Sequence, residues 1–506
     1  METKLFCKSL LYILLMLVVV LGFIAIIATG DGNGDGNGVG DNEGENSDDT
    51  TCDFNIDVVC ENTISPTTGE PCVKICHKNS GDPNNFIIFN DKLIFTAYEG
   101  CKNISQQKLF ELDEIGNIAE IIESSLRINS EKIILNNVLY FISNGYLYKY
   151  DGLNQAKKIF PDYTESIFAI ENLMAYNNKI YFNYSGFNDE LNSSGLYSYA
   201  GAGTPKFLGD VCADGTYILY DGRLYFRGRT ADFGSELWCY DEDGSGLYMV
   251  ADINPSGDSV ISNIVEFQEK LFFDANDGVN GDQLWMIDNE NPPVMVTNLP
   301  EIAYEWGMGD SWIRPVAVFQ EKLLCEVTEQ VGLEYYERLY EYDGTDPLKP
   351  LPVNYSYESH MWLYYSQDIN TYIIFNNHFY FLAVDTSIGF WNAQFLWDYD
   401  GVEAPVKIET DDYISNIHLH NGKLLLQEKN NKKVFSYDSN SLQVLFESVD
   451  LGMYTIYLEK IFYDNYFVTG QNEKNGRELW KIDISGEIEL VEDFYPGTSC
   501  YCDCAD

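Results

Sequence analysis

The sequence predicts an all-β protein, a β-propeller of eight or nine four-stranded blades preceded by an N-terminal hydrophobic helix and a flexible linker. Two aromatic segments recur in a fixed order, and copies of the second, from Asp113 to Asp483, follow one another at about 46 residues. After residue 60 no stretch keeps the apolar period of a helix. A repeat of this length accommodates four short strands, which form one blade. A single blade cannot bury both of its faces, but blades that stack around an axis can bury them against one another.

The first recurring element is a polar pair followed by an apolar, aromatic run, as in Asn90–Phe95. Polar pairs between alternating apolar runs are typical of tight β-hairpin turns. The nine copies lie at residues 90–95, 136–141, 177–182, 221–226, 268–273, 320–325, 376–381, 421–426 and 464–468.

The second element is a short aromatic strand that ends in Asp, except for the copy that ends in Ala200. Its recurring Trp residues are predicted to pack within the blades, namely Trp238, Trp285, Trp397 and Trp480. Nine copies predict eight or nine blades, or else two smaller propellers. We also expect an N-terminal strand to complete the last blade, because such closure removes exposed sheet edges.

Three copies carry a more specific pattern, at residues 230–255, 274–288 and 469–483. They contain GSELWCYD, GDQLWMID and GRELWKID, and they resemble the ELWxxDGT (hyalin-like) repeat family. The resemblance covers roughly residues 86–497. It implies a β-propeller fold and an extracellular or cell-surface setting, and it brings no catalytic residues.

Residues 10–28 form an uncharged apolar run long enough to cross a bilayer. Lys4 and Lys8 precede this run, whereas acidic residues follow it, so the positive-inside rule predicts that the bulk of the chain lies outside the cytoplasm. The small residues Ala28-Thr29-Gly30 also resemble a cleavage site. We therefore expect a single-pass anchored protein at the cell surface, or a secreted one if the segment is removed.

The predicted domain order follows from these composition changes. It comprises residues 1–30 as signal anchor or signal peptide, 31–51 as an acidic Gly-rich linker, 52–84 as a cysteine-containing lead-in, 85–498 as the propeller and 499–506 as a cysteine-rich tail.

The net charge of −48 argues against a nucleic-acid partner, because phosphate binding needs clustered Lys and Arg. Such acidity is compatible with calcium as a cofactor. The candidate ligands are closely spaced oxygen-bearing residues in one Gly-containing turn, although turn chemistry alone explains the same residues: Asp274, Asn276, Asp277, Asn280 and Asp282. The alternating pair His418 and His420 is a weaker metal candidate that has no visible third ligand.

Twelve cysteines are present, and Cys7 lies on the cytoplasmic side of the apolar run. In an oxidising compartment the clustered ones are disulfide candidates, with connectivity left open: Cys52, Cys60, Cys72, Cys76, Cys101, Cys500, Cys502 and Cys504. If the chain ends meet, a disulfide between the two clusters would lock the ring. Four sequons mark glycosylation candidates, at Asn103, Asn183, Asn192 and Asn354.

Residues 300–315 and 346–370 interrupt the repeat and are predicted to be long loops. Long loops on a rigid scaffold commonly carry binding. Aromatic residues outside the repeat pattern crowd this region, and those proposed to bind ligand are Trp306, Trp312, Tyr355, Tyr357, Trp362 and Trp391.

The sequence therefore favours an extracellular recognition or adhesion module that binds protein or glycan through propeller loops. One alternative is a propeller-type carbohydrate-active hydrolase, whose site would be assembled from separate blades. Another is a structural surface component. No catalytic motif is present in a supporting context, so the sequence leans against an enzyme.

Overall fold

A computed structural model of the chain confirms the all-β propeller, and the residues that it describes form no helix. They contain nine four-stranded antiparallel sheets, which are the nine blades. The described residues are 73–78, 81–99, 106–122, 128–161, 168–186, 194–288, 291–300, 302–304, 307–309, 312–331, 334–351, 372–384, 394–410, 412–483, 485–494 and 498–503.

A separate strand, β1 (Val73–Lys78), precedes the blades. Blade 1 contains β2 (Asn84–Phe89), β3 (Lys92–Glu99), β4 (Gln106–Leu112) and β5 (Ile118–Glu120). Blade 2 contains β6 (Ile128–Leu135), β7 (Val138–Ser143), β8 (Tyr146–Tyr150) and β9 (Lys157–Phe160). Blade 3 contains β10 (Phe168–Tyr176), β11 (Lys179–Gly186), β12 (Gly195–Tyr199) and β13 (Lys206–Gly209).

Blade 4 contains β14 (Cys212–Tyr220), β15 (Arg223–Thr230), β16 (Gly234–Asp241) and β17 (Gly246–Ala251). Blade 5 contains β18 (Ile264–Phe267), β19 (Lys270–Asn276), β20 (Asp282–Ile287) and β21 (Val294–Met295). A small ribbon follows, made of β22 (Ile302–Tyr304) and β23 (Gly307–Gly309). Blade 6 contains β24 (Ile313–Phe319), β25 (Lys322–Val331), β26 (Glu334–Tyr342) and β27 (Lys349–Pro350).

Blade 7 contains β28 (Tyr372–Phe375), β29 (His378–Val384), β30 (Gln394–Tyr399) and β31 (Val406–Lys407). Blade 8 contains β32 (Ile414–His420), β33 (Lys423–Glu428), β34 (Lys433–Tyr437) and β35 (Leu442–Glu447). Blade 9 contains β36 (Thr455–Phe462), β37 (Asn465–Asn472), β38 (Gly476–Ile482) and β39 (Ile488–Glu492). The last strand, β40 (Thr498–Asp503), pairs with β1 outside the blades.

The first strand of each blade is the innermost, because first strands of successive blades contact one another, as β10 contacts β6 and β14. Every first strand turns into the second through two residues with positive φ, the type I′ geometry whose twist suits a hairpin. In blades 1 to 8 these pairs are the polar pairs of the sequence repeat, beginning with Asn90–Asp91. In blade 9 the turn residues are Tyr463 and Asp464, one residue before the predicted pair Asp464–Asn465. Even Gln268–Glu269 and Gln320–Glu321 adopt this backbone, which neither residue type favours.

The recurrent Asp at the end of the third strand caps the turn into the fourth. In Asp343, for example, one carboxylate oxygen accepts hydrogen bonds from the backbone N–H groups of Thr345 and Asp346, both at 2.9 Å. These bonds lower the pKa of Asp343 to about 2. The same pattern of two accepted backbone N–H groups recurs at Asp113, Asp151, Asp400, Asp438 and Asp483.

The hydrophobic core lies between neighbouring blades, as the repeat predicts. One cluster packs Phe182 and Tyr197 of blade 3 against Tyr140 of blade 2. The recurrent Trp residues lie in these blades, and the indole N–H of Trp285 donates to the carbonyl of Ala275 at 3.0 Å. Trp480 and Trp397 bond in the same way to Gly470 and Ala383, which confirms their structural role.

The predicted closure by an N-terminal strand is wrong. All four strands of blade 9 are consecutive in the chain, β36 to β39, and so are those of blade 1. The ring closes instead through contacts of the segment before β2, because Phe494 packs on Phe95 and Phe110 and the Asp82 N–H donates to the backbone carbonyl of Arg477 at 3.2 Å. The Thr469 hydroxyl also donates to the carbonyl of Pro83 at 3.1 Å. Beyond this junction the two chain ends meet only in the β1–β40 ribbon among the described residues.

Two predicted loop boundaries also need correction. Residues 313–315 belong to β24 and residues 349–350 to β27, so the first connection ends earlier and the second begins later than the sequence suggested. Residues 10–28 lie outside the described residues. Within the described part of the chain, no helix is long and apolar enough to span a membrane.

Candidate functional site

The two ends of the propeller differ in their connections. Because each blade is a four-stranded meander, the turns from first to second strand and from third to fourth strand emerge at one end, which we call the turn end. The connections from second to third strand, and those between blades, emerge at the opposite connection end. The two longest are residues 296–312 and 351–371, and both chain termini also leave from this end.

At the turn end, hydrogen bonds join neighbouring blades at several junctions, and we call this hydrogen-bonded edge the turn-end rim. The Gln320 amide of blade 6 donates to the carbonyl of Asp400 in blade 7 at 2.7 Å. Gln268 bonds in the same way to Asp343 at 3.0 Å, and Asn90 to Asp151 at 3.4 Å. Each bond links a hairpin turn to the capped turn of the next blade, so this end is occupied by scaffold contacts. The connection end is where variable side chains can accumulate.

A pocket opens between blades 6 and 7, beside the two longest connections. We call it the blade 6–7 pocket; its volume is about 140 Å³ and its lining comprises Asn263, Arg314, Val316, Leu339, Tyr372, Phe379 and Phe381. Four of these residues stand on or directly before the innermost strands, so the pocket lies in the wall of the central channel. Cavities of ~150 Å³ hold one six-membered ring.

The apolar wall of the pocket is aromatic. The Tyr372 ring stacks on Phe379 with centroids 5.2 Å apart, and it remains 37% exposed. Its hydroxyl lies 3.4 Å from the carbonyl of Val316 in blade 6. Burial of the hydroxyl raises the pKa of Tyr372 above its ordinary value, so the phenol stays neutral.

The polar wall of the pocket is charge-balanced. The Arg314 guanidinium lies 2.7 Å from the carboxylate of Glu326, whose side chain is fully buried. The ring of Trp312 lies 5.4 Å from the same guanidinium, a cation–π contact. Asn263 donates from its amide to the carbonyl of Pro315 at 2.7 Å and so joins blade 5 to blade 6. The pocket therefore offers aromatic faces and neutral polar groups beside a compensated ion pair.

The structure describes one of the six predicted ligand-binding aromatics, Trp312, and places it beside the pocket. The other five lie outside the described residues, namely Trp306, Tyr355, Tyr357, Trp362 and Trp391. Sequence reasoning missed Tyr372 and Arg314. Both stand on first strands, which the repeat assigned to the scaffold, and only the interruption of the repeat next to them marked the region.

The predicted calcium residues form a hydrogen-bonded turn. Both oxygens of Asp277 accept N–H groups, from Val279, Asn280 and the Asn280 amide. The Asn276 amide donates to Asp282 at 3.0 Å. Asp274 lies apart from that turn, buried on β19, where it accepts from Ser262 and Asn263. Burial raises the pKa of Asp274. Calcium at this turn stays a prediction.

The two histidines proposed as a metal pair both lie on β32, where each has its own separate contacts. His418 is packed between blades, and burial lowers its pKa to about 4. His420 contacts the side-chain amide of Asn421 at 2.9 Å. Among the described residues no group of three or more His, Cys, Asp or Glu side chains could hold a metal ion.

One glycosylation candidate needs correction. Asn183 is buried, and both of its amide atoms bond to the backbone of Ala213 in the next blade. A glycan on that nitrogen is incompatible with this fold, so the sequon at Asn183 is a blade-to-blade contact. The other three candidates lie outside the described residues, namely Asn103, Asn192 and Asn354.

The cysteines divide into three groups. Cys239 and Cys325 are buried free thiols in the blades. Cys212, at the start of β14, is disulfide-bonded, although the sequence did not single it out, and its partner lies outside the described side chains. Cys76, Cys500 and Cys502 lie in β1 and β40. The remaining candidates lie outside the described residues, namely Cys52, Cys60, Cys72, Cys101 and Cys504.

No protein-family model and no curated protein matches the chain in sequence. Among solved structures, it is similar to an acylaminoacyl peptidase of Pyrococcus horikoshii, with 10% identity, a TM-score of 0.36, and coverage of 78% of this chain and 58% of that one. A puromycin-hydrolyzing peptidase of Mycobacterium tuberculosis gives 10% identity and a TM-score of 0.39, covering 78% and 59%.

The β-propeller domain of the Trilobed protease from Pyrococcus furiosus gives 10% identity and a TM-score of 0.36, covering 74% of this chain and 96% of that domain. The chain therefore spans less than two thirds of the two peptidases and most of an isolated propeller domain. At these scores the similarities carry no argument about activity.

Proposed function

We propose that the chain is an extracytoplasmic recognition module that binds a neutral glycan at the connection end, with one sugar ring in the blade 6–7 pocket. The observation that carries the proposal is the pocket itself, which joins the aromatic faces of Tyr372 and Phe379 to polar groups of Asn263 and Arg314. The ring of Trp312 packs on the guanidinium of Arg314 beside the pocket. Small-ligand sites combine apolar surface with a few placed polar groups in this way.

The size and charge of the pocket narrow the ligand class. Its volume of about 140 Å³ suits a single six-membered ring rather than a folded protein segment. Arg314 is the one cationic residue among the described residues that line the pocket, and Glu326 already compensates its charge, which disfavours an acidic sugar. The net charge of −48 adds long-range repulsion for any anionic ligand. A neutral sugar meets neither obstacle.

The hydrolase alternative has less support at this site. The carboxylate of Glu326 is fully buried and paired with the pocket residue Arg314, and Asp274 accepts three hydrogen bonds from Ser262 and Asn263. Neither is arranged as a general acid beside a second, exposed carboxylate, as glycoside hydrolysis requires.

The extracytoplasmic setting rests on the apolar run of residues 10–28 and on the charges around it.

A glycan array tests the proposal. The purified chain is applied to neutral, sialylated and sulfated glycans at 50 mM and 500 mM salt, and bound glycans are then analysed for cleavage. We expect neutral glycans to bind with little dependence on salt and to remain intact, since the contacts are aromatic and uncharged. Binding restricted to anionic glycans, or turnover of a bound glycan, would show that the proposal is wrong.

A further inference from the structure

The β1–β40 ribbon joins the two ends of the propeller chain. β1 precedes blade 1, β40 follows blade 9, and the two strands pair with each other and with no blade. We infer that Cys76 in β1 and Cys500 in β40 form a disulfide that closes the ring covalently. This cross-link goes beyond the proposed glycan binding and depends only on the extracytoplasmic setting.

The strand register places these two cysteines opposite each other. In the antiparallel pairing, Cys76 is the partner of Cys500, and Lys74 is the partner of Cys502. Directly opposed residues have Cα atoms about 4.5 or 5.5 Å apart, and both values lie within the range of a disulfide. Cys502 is diagonal to Cys76, at roughly 7 to 8 Å, which is beyond the usual reach of a disulfide.

The spacing of neighbouring cysteines agrees with the register. Cys72 stands four residues before Cys76, and Cys504 stands four residues after Cys500. In an antiparallel pair, equal offsets in opposite directions return to the same partner row. Cys72 and Cys504 therefore stand at equal offsets from Cys76 and Cys500, whereas Cys502 stands opposite Lys74 and has no such counterpart.

The topology gives the cross-link a physical role. Blades 1 and 9 exchange no strand, so their junction is held by non-covalent contacts, such as the ion pair of Arg477 with Asp82 at 3.1 Å and the backbone hydrogen bond between them at 3.2 Å. At every other junction the chain itself joins the blades. A bond from Cys76 to Cys500 encloses all nine blades and makes the remaining junction covalent as well. It thereby limits how far blade 1 can separate from blade 9 in a partly unfolded state.

The reaction needs an oxidant. Two S–H bonds break and one S–S bond forms, and the two electrons and two protons pass to a disulfide-bearing oxidant of the secretory compartment, which becomes a dithiol. Such oxidants act outside the cytoplasm, where structural disulfides persist.

Peptide mapping of the full chain, isolated from the expressing cells after alkylation and without reduction, tests the inference. Trypsin cleaves after Lys74 and Lys78 and isolates Cys76, whereas chymotrypsin cleaves after Tyr501 and separates Cys500 from Cys502. We expect one linked product that contains Cys76 and Cys500 and disappears on reduction. The buried thiols of Cys239 and Cys325 provide an internal check, because they should be alkylated only after denaturation.

The double variant C76S/C500S supplies the second readout. Its thermal midpoint should lie below that of the wild type. Reductant should lower the thermal midpoint of the wild type to a similar value, whereas the variant should not show this decrease. The mapping of the wild type decides the question even if the variant fails to fold. A Cys76 found alkylated, or linked to Cys502, Cys212 or another cysteine, overturns the inference.

Discussion

The carboxylate of Glu478 accepts a hydrogen bond from the backbone N–H of Gly81 at 2.7 Å, although the two residues are 397 positions apart in the chain. Its other oxygen accepts from the N–H of Phe494 at 3.3 Å. Glu236 makes the equivalent contacts to Ile253 and Asn254, where the chain passes from blade 4 to blade 5. The Glu of the ELW motif thus holds the connection after its blade, and in blade 9 it also holds the opposite chain end.

The first prediction compares these two glutamates. Glu478→Ala and Glu236→Ala should each lower the free energy of unfolding by about 3 kcal/mol, because each leaves buried N–H groups without an acceptor. Under reducing conditions, where the proposed Cys76–Cys500 bond is open, only Glu478→Ala should open the ring, since blades 4 and 5 remain joined by the chain. Hydrogen exchange should therefore accelerate throughout blades 1 and 9 in that variant. Equal, local effects in both variants would contradict a closing role for Glu478.

A second prediction concerns pH. Burial raises the pKa of Glu478 to about 8 and those of Glu236 and Glu459 to about 7, above the ordinary value of 4.5. The folded state therefore holds protons that the unfolded state has released, and this contribution to stability is lost as the pH rises from about 4.5 through 8. The capped aspartates have lowered pKa values, so their contribution is lost only in acid, below this window.

Urea unfolding at pH 5, 6, 7 and 8 measures this dependence. The free energy of unfolding should fall as the pH rises, by at most about 1.4 kcal/mol per unit for each group. Glu478→Gln should reduce the slope, because the amide does not titrate. A wild-type stability that increases from pH 5 to 8, or an unchanged slope in Glu478→Gln, would refute this assignment.

The strands and turns within each blade could be predicted because the residues that specify them lie within the same repeat. The pair Asn90–Asp91 specifies a hairpin turn by its backbone preference, and the Asp at position 343 caps a turn two residues away. Such contacts span a few residues, so spacing along the chain reveals them. This is why nine copies gave nine blades.

Contacts between distant segments could not be predicted in the same way. The residues around Glu478 in the sequence do not indicate that Gly81 is its partner, and the register of Cys76 with Cys500 depends on how the whole ring closes. The sequon at Asn183 misled because a three-residue motif carries no information on burial. For the same reason the sequence marked only the region of the pocket: it named Trp312, which lies beside the pocket, and did not name Tyr372, which lines it.

A third prediction tests the turn-end rim. Gly401 has a φ of +88°, and a Cβ atom there would collide with the amide of Gln320. Gly116 has a φ of +94° in the corresponding turn of blade 1, with no atom near its Cβ position. Gly116→Ala should therefore cost about 1 kcal/mol for the backbone alone, and Gly401→Ala clearly more. Chemical unfolding of both variants gives the comparison.

A double-mutant cycle completes this test. In the background of Gln320→Ala, the collision is removed, so Gly401→Ala should cost no more than Gly116→Ala. An equal cost of Gly401→Ala with and without Gln320 would show that the two turns do not interact.

A fourth prediction concerns His418. Its Nε2 atom is buried without a hydrogen-bond partner among the described residues, and Ile stands at the same position, three residues before the turn, in blades 1, 2, 4 and 7. His418→Ile should therefore stabilise the protein by about 1 kcal/mol. Zinc should not change the thermal midpoint of either form. A destabilised variant, or zinc stabilisation that the variant loses, would support the metal pair instead.

The most direct test of the recognition proposal is calorimetric titration of the best-bound neutral glycan into the wild type and three folded variants. Tyr372→Ala removes the exposed aromatic ring of the blade 6–7 pocket, and Trp312→Ala removes the ring that packs on the pocket residue Arg314. Tyr463→Ala removes an exposed ring at the turn end and serves as the matched control. We predict that each pocket variant weakens binding about tenfold or more, a loss of ~1.4 kcal/mol, and that the control binds like the wild type. Unchanged binding in both pocket variants, or equal loss in the control, would contradict the account.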